Sequence, residues 1–500
     1  MNRRRKLLIY LCLASLLGYL SIHIMYFNDT YSPLKVLPDA RSEAKRLLRF
    51  MTLYHYQCNS TLTMSNATNW PVCTEVDGGI NPESKPDKII YSIGPSDYDF
   101  ENMISKNISS SSVHIFTRTG PRHSDFLLPK QNNTYLYRTV IVPNDPADFT
   151  RNSFRTQTLN SVMDTLHHKH IDILKIEKQM DVGSMYELLY FLVKDGLLKR
   201  VSQLHFSIVI DKIDDDFLYG WYRALYNLFH EAGFRLYHTA TSNQLCLQVT
   251  LMESCVYYMS WIHSPSPRMF VMYPPAVDGT YEYEMRRFED HLNSQTVDCY
   301  MPTEVTITGK HKMTVCKQIR EDQTYRPCKL VIVRTKPSEV SVTSETKFDC
   351  QIVVVQGTDL GMDGEVTVFN LNQQGTAVTN VQTIPLTDAL LHHLKPTSYN
   401  IFYTDTSMEF WELISLMMDD GIMQVVDQFI ADIELWSHLN HGNIRKGYSE
   451  IMRLKAYGFD LYQYVSLSEE DTLRFRSNSP DKVCCQRLSY LRTKVPRVGK

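Results

Sequence analysis

The amino-acid sequence predicts an α/β protein with two consecutive doubly wound domains, each a mainly parallel sheet, after one N-terminal transmembrane helix. Three observations lead to this fold class. The chain has 500 residues, which is too long for a single hydrophobic core. Short apolar runs alternate with amphipathic helical segments, as is typical of parallel sheets covered by helices. The second half of the chain repeats the order of segments found in the first half.

The composition indicates a folded chain and argues against nucleic acid as a partner. Hydrophobic residues make up 43% of the chain and charged residues 21%, with a net charge of −3. A chain without a basic excess creates no positive field for phosphate groups. We therefore expect no nucleic-acid binding.

The first element is an uncharged, mostly apolar run over Leu7–Phe27, preceded by four basic residues from Arg3 to Lys6. As a helix, this run is about 30 Å long, which matches a bilayer core. The basic residues keep residues 1–6 cytosolic, so the remaining chain lies in the lumen of the Golgi or endoplasmic reticulum as a type II single-pass membrane protein. A cleaved signal peptide is the alternative, but the run is long and no A-x-A-like site closes it.

Glycosylation sequons and cysteines agree with a lumenal location. The N-x-S/T acceptor sites are Asn28, Asn59, Asn66, Asn107 and Asn132. Ten of the eleven cysteines follow the anchor, and lumenal cysteines persist as disulfides. We expect a disulfide-bonded glycoprotein.

The repeat is clearest between Met185–Ile210 and Phe410–Leu435, which begin 225 positions apart. It predicts a tandem duplication, with one domain at residues 43–265 and a second at 283–495. Residues 28–42 form a stem after the anchor, and the proline-containing stretch 266–282 forms a linker.

Cysteines recur at matching places in the two copies, which suggests structural disulfides. The candidates are Cys58 with Cys73, Cys299 with Cys316, and the matching Cys255 and Cys485, for which Cys246 and Cys484 are possible partners. A bridge closing a loop of this length contributes about 3 kcal/mol by the chain-entropy estimate. Connectivity itself cannot be read from the sequence.

Strands and helices in the first copy follow from the apolar pattern. Buried strands are predicted for KIIYSI, SVHIF, YRTVIV, IDILKI, QLHFSIVI and FRLYHTA. Amphipathic helices are predicted for MYELLYFLVKDGLLKRV and YGWYRALYNLFHEAGF, and Gly233 is placed to end the second of these. This alternation gives a doubly wound sheet in each copy.

The first copy resembles the FkbM-like methyltransferases, and more closely the animal membrane-anchored methyltransferase-like family. The resemblance is carried by RLLRFMTLYHYQC, YSIGPSDYDFE, LNSVMDTLHHKHIDILKIE and the closing FRLYHTA and SCVYYMSWI segments. It covers residues 43–265 directly and 283–495 only through the repeat. It implies two Rossmann-like, methyltransferase-like domains and S-adenosylmethionine as a cofactor of the first.

The resemblance implies a cofactor loop at YSIGPSDYDFE. Gly94 matches the family's first loop glycine, but Ser96 stands where a second glycine is expected. Asp97 and Glu101 are candidates to face the ligand. Thr117 stands where the family has an acidic residue that holds the ribose hydroxyls, and a threonine cannot accept two hydrogen bonds as a carboxylate does. Losing that charge-assisted contact costs about 1.5–3 kcal/mol.

The family's catalytic strand corresponds to DILKIEKQMDVGSMYE, Asp172–Glu187. Asp172 and Lys175 match the family, whereas Glu177 replaces an aspartate and the following turn is longer. The resemblance assigns Glu177 as the base, with Lys175 and Asp172 nearby. A carboxylate displaced by an ångström loses about a hundredfold in rate. The alternative is that Asp172 and Lys175 are surface residues at the strand ends.

The second copy keeps the apolar pattern but few polar site residues. LVIVRTKPS has no loop glycine, and only Asp359, Asp405 and Glu412 remain near the matching strand ends. The contrast indicates a domain that is retained for packing or interaction.

Three functions remain open. The first is a weak or altered methyltransferase acting on a lumenal acceptor, and the second is an inactive pseudoenzyme that binds a protein or a glycan. The third is a type II Golgi glycosyltransferase, in which Asp211 and Asp214–Asp216 hold Mg²⁺ or Mn²⁺. An acidic run before a helix is more often a helix start. Neighbouring His167, His168 and His170 point in different directions, so we expect no metal site there.

Overall fold

The computed structural model describes most of the chain after residue 30. The described residues are 31–63, 70–74, 88–108, 110–118, 133–143, 155–177, 185–210, 214–242, 254–263, 269–299, 301–307, 311–316, 327–335, 340–344, 349–357, 364–371, 377–405, 410–434, 441–467 and 485–493. Within these ranges, no helix is long and apolar enough to cross a membrane. The predicted anchor Leu7–Phe27 lies outside them, as do the sequon asparagines Asn28, Asn66 and Asn132.

The described first half begins with a helix and ends with an antiparallel strand pair. Its elements are α1 Ala40–Thr52, β1 Thr61–Leu62, β2 Val72–Cys73, β3 Lys88–Ile93, α2 Asp99–Asn107, β4 Ser111–Phe116, β5 Thr134–Tyr137, β6 Thr139–Ile141, β7 Arg155–Gln157, α3 Leu159–Thr165, β8 Ile171–Ile176, α4 Met185–Lys194, β9 Val201–Val209, α5 Asp215–His230, β10 Phe234–Thr241 and β11 Val256–His263.

Seven strands form one sheet in the order β5-β4-β3-β8-β9-β11-β10. The five strands from β5 to β9 are parallel, and β11 is antiparallel to both of its neighbours. Strands such as β8 are almost continuously apolar because the sheet is covered on both faces. Helices α1, α3, α4 and α5 pack on one face, whereas α2 and Trp70 pack on the other.

The second half has a similar order of elements. They are α6 Tyr281–Asn293, β12 Pro302–Ile307, β13 His311–Cys316, β14 Cys328–Arg334, β15 Val342–Ser344, β16 Cys350–Gln356, β17 Glu365–Leu371, β18 Ala377–Pro385, α7 Leu386–His393, β19 Tyr399–Thr404, α8 Phe410–Asp419, β20 Gln428–Glu434, α9 His441–Ala456, β21 Phe459–Ser466 and β22 Cys485–Arg492.

Its main sheet has eight strands in the order β18-β17-β16-β14-β19-β20-β22-β21. Strands β16, β14, β19 and β20 are parallel, and β22 is antiparallel to its neighbours. The antiparallel pair β17–β18 takes the edge position that the parallel strand β5 has in the first half. A small sheet, β13-β12-β15, covers the face that α2 covers in the first half. The two sheets confirm the α/β class.

A buried glutamine makes the same contact in both halves. Gln203 accepts a hydrogen bond from the backbone N–H of Cys73 at 3.0 Å and donates one to the Cys73 carbonyl at 2.6 Å. Gln428 accepts from the N–H of Cys316 at 3.0 Å and donates to the Cys316 carbonyl. Each glutamine therefore fixes a short N-terminal strand against the main sheet.

Three disulfides lie between described cysteines: Cys58–Cys73, Cys299–Cys316 and Cys328–Cys350. The first two close loops with sequence separations of 15 and 17 residues. The third joins the first residues of the parallel strands β14 and β16, and the sequence analysis did not anticipate it. Cys255 is also disulfide-bonded, and the side chain of Cys485 lies outside the described part.

The two halves pack through α5, α6, α9 and the segment between them. The N–H of Tyr273 donates to the hydroxyl of Ser449 at 2.9 Å, and the rings of Tyr273 and Tyr448 meet edge to face at 5.4 Å. Tyr273 also contacts Phe229 of α5 at 5.0 Å between ring centroids. The connecting segment is thus part of the packed interface.

Candidate functional site

The carboxyl ends of β3, β4 and β8 meet at one edge of the first sheet, where parallel α/β sheets generally bind ligands. Gly94 directly follows β3 and has φ 61°, a conformation that a side chain disfavours. Its N–H donates to the carbonyl of Phe116 at 2.8 Å. The glycine thereby turns the chain sharply into the loop that leads to α2.

Glu177 is the first residue after β8, and its carboxylate binds the backbone of the loop that follows Gly94. One carboxylate oxygen accepts a hydrogen bond from the N–H of Ser96 at 2.8 Å. The other oxygen pairs with the ammonium of Lys175. The structure therefore brings the predicted residues Gly94, Ser96, Lys175 and Glu177 together, and both oxygens of Glu177 have partners within the chain.

Lys175 is buried inside the domain rather than exposed at a strand end. Its side chain is 3% exposed, and its ammonium lies 3.1 Å from Glu101. The rings of Trp70 and Phe100 lie 4.8 and 5.2 Å from the ammonium, within cation–π range. Burial lowers the pKa of Lys175, but the carboxylates of Glu101 and Glu177 raise it by more, so the net pKa lies above its ordinary value. Lys175 is a permanent positive charge.

Glu101, predicted to face the cofactor, points into the same buried network. It lies on α2 and is fully buried. One oxygen accepts from the hydroxyl of Ser92 and from Lys175. The other oxygen has no hydrogen-bond partner among the described residues. Two carboxyl groups thus surround one ammonium.

Asp97 and Thr117 lie at the same edge with different exposure. Asp97 is exposed and accepts a hydrogen bond from the N–H of Asp99 at 3.1 Å, which helps to start α2. Thr117 follows β4, is 8% exposed, and donates its N–H to Tyr137 at 3.0 Å. Of the predicted loop residues, Ser96 and Asp97 are the two most open to solvent.

Asp172 lies at the opposite end of β8. Its carboxylate accepts a hydrogen bond from the N–H of Ile89 at 2.8 Å and lies 3.6 Å from the ammonium of Lys88. A strand rises about 3.3 Å per residue, so Asp172 is roughly 16 Å from Glu177. The structure does not bring Asp172 to the loop edge; it fixes the start of β3.

Sequence reasoning missed two residues beside this network, Trp70 and His205. Their rings stack at 6.3 Å with an interplanar angle of 7°. Burial, followed by the positive charge of Lys175, lowers the pKa of His205 to about 3, so its imidazole is neutral at physiological pH. An isolated tryptophan before Cys73 carries no periodic signal, and a histidine within an apolar strand is usually a core residue.

The second half places an ion pair at the matching edge. Arg334 follows Val333 of β14 as Gly94 follows Ile93 of β3. Its guanidinium donates to Asp405, the first residue after β19, at 2.7 Å. An arginine side chain therefore occupies the edge where the first half has a glycine turn. Asp359 lies outside the described residues, and Glu412 is exposed in the first turn of α8.

The second half also has a buried cation near this sheet edge. It lies on a different strand from Lys175 of the first half. Arg487 of β22 donates to both oxygens of Asp432, at 2.6 and 2.7 Å. The hydroxyl of Tyr403 donates to the same carboxylate at 2.9 Å. Burial, followed by the charge of Asp432, raises the pKa of Tyr403. Tyr403 has the sheet position that Lys175 has in the first half.

These residues do not fit S-adenosylmethionine in the way that the family resemblance implies. The ribose position has Thr117, whose single uncharged hydroxyl cannot offer one oxygen to each of the two ribose hydroxyls as a carboxylate does. The loop N–H of Ser96, which a ligand carboxylate would need, is already bound to Glu177. In the second half, Arg334 and Asp405 fill the loop edge.

The predicted acidic and histidine clusters have structural roles. Asp214 is the N-cap of α5 and accepts from the N–H of Phe217 at 2.7 Å, and Asp215 and Asp216 lie in the first helical turn. Asp211 lies outside the described residues. The ring of His168 hydrogen-bonds Tyr91 at 2.8 Å. In the part that the structure describes, no group of three His, Cys, Asp or Glu residues is arranged to hold a metal ion.

No protein-family model and no curated protein sequence matches this chain. Similar solved structures include the Methanococcus jannaschii fibrillarin pre-rRNA processing protein, with 12% identity over 36% of this chain and 69% of that one, TM-score 0.23. Another is the precorrin-6y C5,15-methyltransferase of Geobacter metallireducens, with 12% identity, 36% and 83% coverage, and TM-score 0.22. A third is the 16S rRNA methyltransferase KamB, with 11% identity, 43% and 100% coverage, and TM-score 0.21.

The order and direction of the strands define the fold of the first half. Counted along the chain, the seven strands of the first sheet have the order 3-2-1-4-5-7-6, and only the seventh is antiparallel. The part 3-2-1-4-5 of this order is that of a doubly wound, Rossmann-like sheet.

Proposed function

We propose that this chain is a type II single-pass membrane glycoprotein of the secretory pathway that binds a partner and does not transfer methyl groups. Its two lumenal domains derive from a tandem duplication of one methyltransferase-like domain. The partner is a lumenal protein or a glycan. The observation that carries the proposal is that Glu177, the best candidate for a base, has both oxygens bound within the chain.

A general base must face the proton that it removes, within hydrogen-bond reach. The bond from Lys175 neutralises the charge of Glu177, and the bond from Ser96 orients its carboxylate toward the protein's own loop. Freeing Glu177 would leave Lys175 with one counter-charge and the Ser96 N–H without its acceptor. This network stabilises the closed loop, so the geometry favours a structural role for Glu177.

The second domain supports the same interpretation through a different set of residues. Its matching edge is closed by the Arg334–Asp405 ion pair, yet its core retains the Gln428–Cys316 contact that mirrors Gln203–Cys73. Packing residues are shared by the two domains, whereas site residues differ. Such a pattern is expected when a duplicated domain retains its packing residues and loses its catalytic residues.

A second candidate function is a weak methyltransferase in the first domain, with Glu177 as the base. One observation favours it: the turn at Gly94, the N–H of Ser96 and the carboxylate of Glu177 lie within hydrogen-bond distance at one sheet edge. In this case ligand binding would have to replace the Ser96–Glu177 hydrogen bond.

Calorimetric titration of S-adenosylmethionine into the detergent-solubilised, disulfide-bonded full chain separates the two functions. We expect no heat of binding at millimolar ligand from protein whose folding is verified by circular dichroism. Gly94→Trp is the control variant, because an indole at Gly94 fills the loop. Micromolar binding by the wild type that disappears in this variant would reject the non-catalytic proposal and support the weak enzyme.

A further inference from the structure

Residues 31–37, which begin four positions after the end of the predicted anchor, do not form a free stem. The hydroxyl groups of Tyr219 and Tyr222 on α5 donate to the carbonyls of Leu34 and Pro33 at 3.0 and 3.1 Å. The N–H of Leu37 donates to the buried carboxylate of Glu43 at 2.8 Å. Successive backbone groups are thus bound to the first domain, so the segment has a fixed path along α5.

The start of this segment is also bound to the second domain. The N–H of Tyr31 donates to the carboxylate of Asp290 on α6 at 2.9 Å. Burial raises the pKa of Tyr31, and the guanidinium of Arg287 on α6 lies close enough to oppose this shift. Tyr31 is therefore fixed between the two domains, near the ring of Tyr222.

The distance from the bilayer to this fixed point is short. Phe27 ends the predicted anchor, and four residue steps separate it from Tyr31. A fully extended chain spans at most about 3.6 Å per residue, so Tyr31 lies within about 14 Å of the end of the anchor. A folded body attached this closely must place the surface around residues 31–36 against the headgroup region.

The surface around this point has the composition of a headgroup contact. Arg41, Lys45 and Arg49 follow one another at four-residue spacing on the exposed side of α1. Lys35 is exposed on the segment that leads into α1, and Val36 next to it is 56% exposed. Basic side chains next to an exposed apolar one suit the phosphate groups and the acyl boundary of a phospholipid surface.

Two further features agree with this orientation. Two acidic residues near this surface are already engaged: Asp39 is the N-cap of α1 through Ser42, and Asp290 accepts from Tyr31. The predicted glycosylation site Asn107 lies at the end of α2, on the opposite face of the sheet from α1. A glycan at Asn107 would point away from a membrane that contacts α1.

We propose that Lys35, Val36, Arg41, Lys45 and Arg49 form a membrane-contact face that lies on the phospholipid headgroups beside the chain's own anchor. The lumenal body is then held against the bilayer and does not extend from it on a flexible stem. This inference rests on the membrane anchor of the proposed function.

The test uses the full chain reconstituted in phosphatidylcholine–phosphatidylserine vesicles. A fluorophore is attached through a genetically encoded azide at position 36 or, as a control, at position 99 on α2. A quencher on the lipid headgroups reports proximity. We expect severalfold stronger quenching at position 36, reduced by the double variant Arg41→Glu/Lys45→Glu. The matched variant Lys194→Glu/Lys199→Glu, on exposed lysines outside this face, should leave the quenching unchanged.

Equal quenching at positions 36 and 99, from protein that stays in the vesicles through an alkaline wash, would overturn the membrane-contact face and leave the anchor intact. Release of the protein by the alkaline wash would overturn the anchor and, with it, this face. Strong quenching at position 36 that neither double variant changes would reject the role of the basic residues.

Discussion

Gln203 and Gln428 have the same position in the two sheets and make the same paired hydrogen bonds to the backbone of a disulfide-bonded cysteine. A tyrosine hydroxyl adds a further bond to each carboxamide oxygen, from Tyr237 at 2.9 Å and from Tyr462 at 3.4 Å. Both glutamines are fully buried. This contact fixes a disulfide-closed loop to a central strand in each half.

Replacing either glutamine by leucine should destabilise the protein because a buried backbone N–H and carbonyl lose their partners. Each unsatisfied group costs about 1–3 kcal/mol. We expect Gln203→Leu and Gln428→Leu to lower the free energy of unfolding by similar amounts, measured by urea denaturation. Gln382→Leu, at an exposed position on β18, is the control. If Gln203→Leu unfolds like the control, the contact does not contribute as described.

Removing the charge of Lys175 should be among the most costly single substitutions in the first domain. Lys175→Met leaves Glu101 and Glu177 as uncompensated buried carboxylates, and breaking a buried pair costs about 3–5 kcal/mol. The double variant Lys175→Met/Glu101→Gln should recover part of this loss. A double-mutant cycle followed by urea denaturation measures the coupling. Additive losses would show that the two side chains do not interact.

His205 should make the stability of the first domain depend on pH. Its pKa in the folded chain is about 3, lowered by burial and by Lys175, whereas an unfolded histidine has a pKa of about 6.5. Below pH 6.5 the unfolded chain therefore binds a proton that the folded chain excludes, and stability falls as the pH decreases toward 3.

The variant His205→Gln removes this contribution, so its loss of stability between pH 7 and pH 5 should be smaller than that of the wild type. Urea denaturation at the two pH values provides the measurement, and His441→Gln, at an exposed position, is the control. An unchanged pH dependence in His205→Gln would mean that the pKa of His205 is the same in the folded and unfolded chains, which contradicts the lowered pKa.

The sequence was sufficient to predict the α/β class and the buried strands, because apolar runs between helical segments are local signals. It did not predict the antiparallel pair β17–β18, since strand direction at a sheet edge depends on tertiary pairing. It grouped Asp172 with Glu177, although they lie five residue steps apart along the extended chain of β8. A strand places its first and last residues at opposite edges of the sheet.

The buried polar networks were the least predictable part of the site. Trp70 comes from a loop and His205 from β9, and both reach Lys175 only through the folded sheet. In the second half, the cation lies on β22 as Arg487 and no longer on the strand that matches β8. Each half therefore has a buried cation in its sheet, but the two cations lie on strands that do not match in sequence. A motif search cannot detect such a difference.

The loop at Gly94 is closed by the chain's own Glu177, and we predict that it does not bind S-adenosylmethionine. Hydrogen exchange of the full chain, with and without millimolar S-adenosylmethionine or S-adenosylhomocysteine, tests it most directly. We predict identical exchange in residues 91–101 and at Glu177 under all conditions. Slower exchange in these residues on adding either ligand, absent from Gly94→Trp, would contradict the claim.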